Sequence, residues 1–226
     1  MSNILHLWGI FLGTVIGLLP IINPLAASVT FVAITEGDTE VRRREQARKG
    51  CLYMVAVLVS FLIGGTFIMK FFGISIPGLR IAGGIMMTGI GMNMLTAHKG
   101  EHDEDREERE AARRKVDISF SPLAMPMLSG PGSIAVTLGF TSLATSVLDY
   151  AALIAGIGVV AVISYLVLRM SGRIVRLIGP VGLNAVNRIM GFLIMCIGVQ
   201  FVVNGILGIA TDPELLRGIK AALAAH

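Results

Sequence analysis

Six stretches of this chain carry no Asp, Glu, Lys or Arg: residues 1–35, 50–69, 81–97, 118–148, 150–168 and 189–211. An apolar run of about 18 residues or more without charge reads as a membrane-spanning helix, because it matches the thickness of the hydrocarbon core. Five of the six runs reach that length, and 81–97 nearly does. Charged residues make up only 15% of the chain, against about 25% in soluble domains, and they are confined to the connections. A soluble enzyme is excluded. The expected fold class is an all-α polytopic membrane protein with six transmembrane helices.

The formal charge of +4 is not a nucleic-acid footprint, because Lys and Arg cluster at the ends of the apolar runs. Alternate connections carry fifteen and four basic residues, and an excess of Lys and Arg marks the cytoplasmic side. Six spans then place both termini outside and the connection 98–117 inside. Trp8 and Tyr150 fall near outer ends of spans and Tyr53 and Tyr165 near inner ends, as an interfacial aromatic belt requires. No basic segment precedes Leu5, so no cleaved signal peptide is expected. Cys51 and Cys196 lie in different runs and read as buried structural thiols.

Two runs are too long for one plain span. Residues 1–35 and 118–148 number 35 and 31, where about 20 cross the hydrocarbon. The first is interrupted by Pro20-Ile21-Ile22-Asn23-Pro24, the second by Pro126 and Gly130-Pro131-Gly132. Proline removes an N–H and clashes with the preceding turn, so neither run is one straight helix. Helices 1 and 4 are therefore expected to break near the midplane, leaving half-helices over 24–35 and 132–143.

The breaks are also related to each other. Residues 23–30 (NPLAASVT) align with 130–137 (GPGSIAVT) at an offset of 107. Arg80-Ile81-x-Gly83-x-x-x-Met87 aligns with Arg188-Ile189-x-Gly191-x-x-x-Met195 at 108. Because each unit has three spans, the second enters the membrane from the opposite side. The organisation is read as a three-span repeat over 1–97, a charged cytoplasmic loop over 98–117, a second, inverted repeat over 118–211 and an external segment over 212–226. In that last segment Asp212-Pro213 looks like a helix start. Inverted repeats with discontinuous helices at matched positions point to a secondary transporter's binding site.

Half-helix N-termini present unsatisfied N–H groups and positive partial charge, which suit the carboxylate of a small ligand. Unwound backbone at that depth is tolerated only where it is buried or lines a cavity. The candidate substrate site comprises Asn23, Pro24, Gly130, Pro131 and Gly132, with Ser28, Ser129 and Ser133 as polar contacts. Thr30, Thr137, Asn93, Gln200 and Asn204 are expected to hydrogen-bond between helices. No carboxylate or histidine lies deep in a run, so no proton relay is legible. There is no nucleophile–base pair and no phosphate loop, which argues against an enzyme and against an ATP-driven pump. The loop histidines His98 and His102 read as solvated rather than as metal ligands, and no cofactor is implied.

Several of these stretches are similar to those of a known family. Ile22-Asn23-Pro24-Leu25, the run from Phe72 to Gly84 (FGISIPGLRIAGG), Pro122-Leu123-Ala124-Met125-Pro126 and Gly130-Pro131-Gly132 resemble the MarC family of bacterial inner-membrane proteins. Arg188-Ile189-Met190-Gly191-Phe192 and Gln200-Phe201-x-x-Asn204-Gly205-Ile206 extend the likeness into the last span. The resemblance implies an inner-membrane location, six spans and kinship with LysE-type exporters, some relatives in the family carrying small neutral amino acids. The expected function is a secondary transporter or exporter of a small zwitterion, a neutral amino acid first, working by alternating access. Its partners are then the small-molecule substrate and the lipid bilayer, with a homo-oligomer left open. A channel for a small neutral solute and a non-transporting membrane scaffold are the alternatives. A tag inserted at Glu108 should be reachable only from the cytoplasm and a thiol at Ser2 only from outside; labelling of intact cells showing the reverse would overturn the charge count.

Overall fold

The computed structural model describes residues 2–96, 117–141 and 144–212. The rest of the charged loop with His98 and His102, and the helix expected after Asp212-Pro213, lie outside the described residues. Every described element is helical: α1 Ser2–Ile22, α2 Pro24–Ile34, α3 Glu40–Phe72, α4 Ile76–Thr96, α5 Ser119–Leu128, α6 Pro131–Phe140, α7 Val147–Arg169 and α8 Ser171–Ala210. Local chemistry sets several of these ends. Thr39 accepts the Arg42 N–H to start α3, and Gly73 ends it at φ 64°, a left-handed value that glycine adopts without strain. Ser146 and Asp149 form a reciprocal capping box at the start of α7. Inside α8, Gly179 (φ 68°, ψ 171°) divides a short first segment from the long Val181–Ala210 helix.

By length and composition, Ile4–Ile22, Glu40–Phe72, Val147–Arg169 and Val181–Ala210 are each long and apolar enough to cross a bilayer. The α5–α6 pair, bent by 64°, makes a fifth if it is one span. The count falls short of the expected six at α4, whose 21 residues include five glycines and Arg80 and are less apolar for it. Neighbouring contacts settle how the bent pair runs. Gly50, early in α3, faces Leu123 and the Ser119 carbonyl of α5, whereas Gly65, fifteen residues on, faces Leu138 and Thr141. The α5–α6 pair therefore travels alongside α3 across the bundle rather than turning back.

The same reasoning orients the other helices. His6 approaches Asp149 at 3.5 Å and Gly156 faces Thr14, so α1 and α7 run in the same direction. At the far end of α7, Arg43 at the start of α3 lies over Phe31 of α2 and reaches Ser171. α4 and α8 run antiparallel along a glycine seam. A Cβ on Gly84 would stand 2.5 Å from the Gly198 carbonyl oxygen, and one on Gly91 2.5 Å from that of Gly191. Further along, a Cβ on Gly205 would stand 2.8 Å from the Pro77 carbonyl oxygen. Small residues let backbones approach where lipid gives no hydrophobic drive for helices to associate.

The principal contacts have a regularity. α3 packs on α7 and α4 on α8; α1 packs on α7 as α5 does on α3; α4 packs on α6 as α8 does on α2; α3 packs on α6 as α7 does on α2. Exchanging α1–α4 with α5–α8 maps this set onto itself. The fully buried core, with Leu18, Phe31, Met54, Leu58, Met87, Leu123, Leu128, Val136, Ile157 and Ile194, draws on all eight helices. Ile16, Phe67, Phe71 and Val162 point outward and are exposed.

The seam gives a matched test. Gly84→Ala should cost about 1–3 kcal/mol through overpacking against backbone. Gly89→Ala, whose Cβ meets nothing within 4 Å, should be neutral or stabilising by up to about 1 kcal/mol. Thermal unfolding in one detergent compares them, and equal effects would remove the seam as a packing constraint.

Candidate apolar cavity at a broken helix

The first interruption is a single residue. α1 continues through Pro20 to Ile22, and Asn23 then adopts a left-handed conformation (φ 43°, ψ 65°). Asparagine tolerates this region better than other residues with a side chain. Its Oδ1 accepts the Ala26 N–H at 3.3 Å, capping α2, while Pro24 takes the first helical position, where a missing N–H costs nothing. Asn23 N–H still donates to the Leu19 carbonyl and its own carbonyl accepts from Ala27 N–H. The buried Asn23 Nδ2 group has no hydrogen-bond partner.

The second interruption is broader. In α5 the backbone is extended at Ser121 and Met125, each followed by a proline, which disfavours helical geometry in the residue before it. The turns widen, with Leu123 N–H donating to the Ile118 carbonyl and Ser129 N–H to that of Ala124, each five residues back. Gly130 is extended (φ −72°, ψ 174°) ahead of Pro131, and no side chain caps α6. A Cβ on Gly130 would stand 2.8 Å from the Pro126 carbonyl oxygen, so the chain folds back on itself here only with glycine. The half-helices are Pro24–Ile34 and Pro131–Phe140, one and two residues shorter than the twelve expected.

Beside the uncapped α6 N-terminus lies a cavity of about 360 Å³ between α4 and the α5–α6 break. Of the sequence-predicted residues, Ser129, Gly130 and Pro131 line it. Asn23, Pro24, Ser28, Gly132 and Ser133 do not. Gly132 instead lets α6 close on the end of α1: a Cβ there would stand 3.3 Å from Ile21 and 3.4 Å from Met87. The two interruptions thus adjoin through Ile21 without sharing one cavity. The serine hydroxyls are engaged by nearby carbonyls, Ser28 by Leu25 (2.6 Å), Ser129 by Ala124 (2.7 Å) and Ser133 by Gly130 (2.9 Å).

Sequence reasoning missed the remaining walls: Leu79, Ala82, Gly83 and Met86 from α4, Met125 and Pro126 from α5, and Ile134, Ala135 and Leu138 from α6. A signal was present, since Leu79, Ala82 and Gly83 belong to the Phe72–Gly84 stretch and Pro126 to the Pro122–Pro126 stretch. Two stretches distant in sequence, 79–86 and 125–138, close on one space. Two other expectations are corrected. Thr137 donates to the Ser133 carbonyl and Gln200 to Asn204, both within their own helices rather than between helices, because i,i+4 partners lie on one helical face. Cys51 is buried as expected, but Cys196 is exposed on the outer face of α8.

These features define a helical, multi-pass integral membrane protein with a discontinuous helix bordering a cavity. The profile described as MarC family integral membrane protein matches residues 8–210. The chain is 37% identical over 208 residues to the inner membrane protein MarC of Citrobacter koseri, and 39% identical to those of Salmonella typhimurium and Salmonella paratyphi A. Each alignment covers 88% of this chain and 94% of the relative. The chain belongs to the MarC family. No solved structure matches it.

Asn23 separates two contributions to the first break. Asn23→Ala should destabilise by about 1–3 kcal/mol, from the lost cap and from a left-handed alanine. Asn23→Gly should restore most of it, since it relieves the backbone conformation while losing only the cap. Thermal unfolding measures both, and equal losses would mean that the left-handed backbone carries no cost.

Proposed function

We propose that the protein is a secondary transporter of a small zwitterion with an apolar side chain, a neutral amino acid first, and not an enzyme. The observation that carries this reading is the cavity at the α6 N-terminus. The uncapped start of α6 beside it carries the positive partial charge of a helix N-terminus, which favours a carboxylate. The surrounding Leu79, Met86, Ile134 and Leu138 favour an aliphatic body over a polar one.

The contact regularity supports two repeats, α1–α4 over 1–97 and α5–α8 over 118–211. The antiparallel run of α4 and α8, counterparts under that exchange, supports their inversion. With α1–α2 and α5–α6 each counted as one interrupted span and α4 as another, six spans result. Charge distribution supports external termini and a cytoplasmic loop 98–117. Alternating access would then rock one unit against the other about the adjoining breaks. A pore is the weaker reading, because Gly130 stands where the alignment places Asn23 and the two breaks do not open into one path.

Flux in proteoliposomes tests this. A neutral aliphatic amino acid should exchange saturably, its amide should compete at least tenfold less well, and Ala82→Phe should lower flux at least tenfold. Ala82 is exposed to the cavity, so a phenyl ring there fills space without entering the packed core. Equal competition by acid and amide would remove carboxylate recognition, and flux that never saturates would make the channel the better reading.

A further inference from the structure

The end of the bundle where α3 begins and α7 turns into α8 holds a second cleft, of about 160 Å³, remote from the apolar cavity. Five arginines from three helices line it: Arg43 and Arg44 of α3, Arg169 of α7, and Arg173 and Arg176 of α8. Among the described lining residues Glu40 is the one carboxylate, and Arg44 holds it at 2.9 Å. Four guanidinium groups thus face one small space that contains no further counter-charge. Topology alone asks only for basic residues on this side of the membrane. It does not ask that residues more than a hundred positions apart converge. Convergence here is built into the fold: Arg43 is half-buried, lies 6.0 Å over the Phe31 ring, and its Nη2 donates to Ser171 Oγ at 3.5 Å. Arg176 is likewise held, its Nε donating to the Gly172 carbonyl at 3.0 Å.

A second observation concerns what accompanies the charge. In the first segment of α8, Leu177 stands one turn along from Arg173 and next to Arg176, flanked by the half-buried Ile174 and Ile178. Leu177 is 88% exposed, and Val181, just past the Gly179 kink, is 84% exposed. A short helix that carries arginines beside bare aliphatic side chains suits a bilayer interface, with the aliphatic groups among acyl chains. An anion entering this cleft therefore meets arginines next to exposed hydrocarbon. Basic pockets of this kind between spanning helices suit phospholipid headgroups.

We propose that this cleft is a binding site for the headgroup phosphate of an anionic phospholipid, held by Arg43, Arg169, Arg173 and Arg176 while its acyl chains cover Leu177 and Val181. The site ties the start of α3 to the α7–α8 corner, one element from each of the two halves of the chain. Its test is independent of what the apolar cavity carries.

The experiment is native mass spectrometry of the full-length protein released from micelles of mixed phosphatidylglycerol and phosphatidylcholine. Phosphatidylglycerol should be retained in preference to phosphatidylcholine at one site. The double variant Arg169→Gln/Arg173→Gln should bind it about 30-fold more weakly, at about 1 kcal/mol for each basic side chain lost. These arginines are exposed, so the variant should melt like the wild type in phosphatidylcholine alone. Arg42→Gln/Arg48→Gln, which removes equal charge outside the cleft, should bind as the wild type does. An equal loss in that control would make the effect general electrostatics and overturn the site. Displacement of the lipid by millimolar inorganic phosphate would assign the cleft to a free anion and overturn the lipid.

Discussion

In hydrocarbon, a backbone N–H or carbonyl without a partner costs several kcal/mol, and no water is at hand to supply one. The architecture follows from how this chain meets that demand at its two interrupted helices. At the first, one left-handed residue carries the interruption, and the Asn23 side chain replaces the hydrogen bond that the helix start lacks. At the second, two prolines widen the turns of α5, Ser129 bonds back to the Ala124 carbonyl, and α6 begins without a side-chain cap. The aligned positions are asparagine in one case and glycine in the other. With asparagine the first helix start is capped by a side chain, and with glycine the second is not.

Close backbone approach is the second organising feature. Gly84, Gly91, Gly191, Gly198 and Gly205 draw α4 and α8 together until one backbone meets the other. This explains how α4, which lacks a stretch apolar enough to cross a bilayer by composition alone, is held by its partner rather than by its own hydropathy. α4 also faces α6, with Gly83 against Ala135. The cavity lies along that second face, so the helix that forms the tightest seam also supplies one wall of the open space.

The outer surface completes the account. Large apolar side chains such as Ile16, Phe67 and Phe71 are exposed in a pattern that would drive aggregation in water. In a bilayer they meet solvent of their own polarity. The charged residues occur where that solvent ends, and at the α3 and α7–α8 corner they gather instead of dispersing.

Much of this was legible in the residues. Charge-free runs announced helices that cross a bilayer, because hydrocarbon excludes ionised groups whatever the tertiary arrangement. Proline and glycine fixed where helices 1 and 4 break, since a missing N–H and a tolerated φ are local properties: Asn23 and Gly130 lie where the sequence put them. The family was readable from stretches such as Phe72–Gly84. What the sequence could not decide was which residues share a space. Gly132 was expected at a ligand and instead packs on Ile21 and Met87, while Leu79, Ala82, Gly83 and Met86 form a wall that no spacing rule announced. The five cleft arginines likewise counted only as topology until α3 met α8. The reason is physical. Breaks and spans depend on a residue and its near neighbours, whereas a cavity exists only where helices far apart in sequence fail to touch.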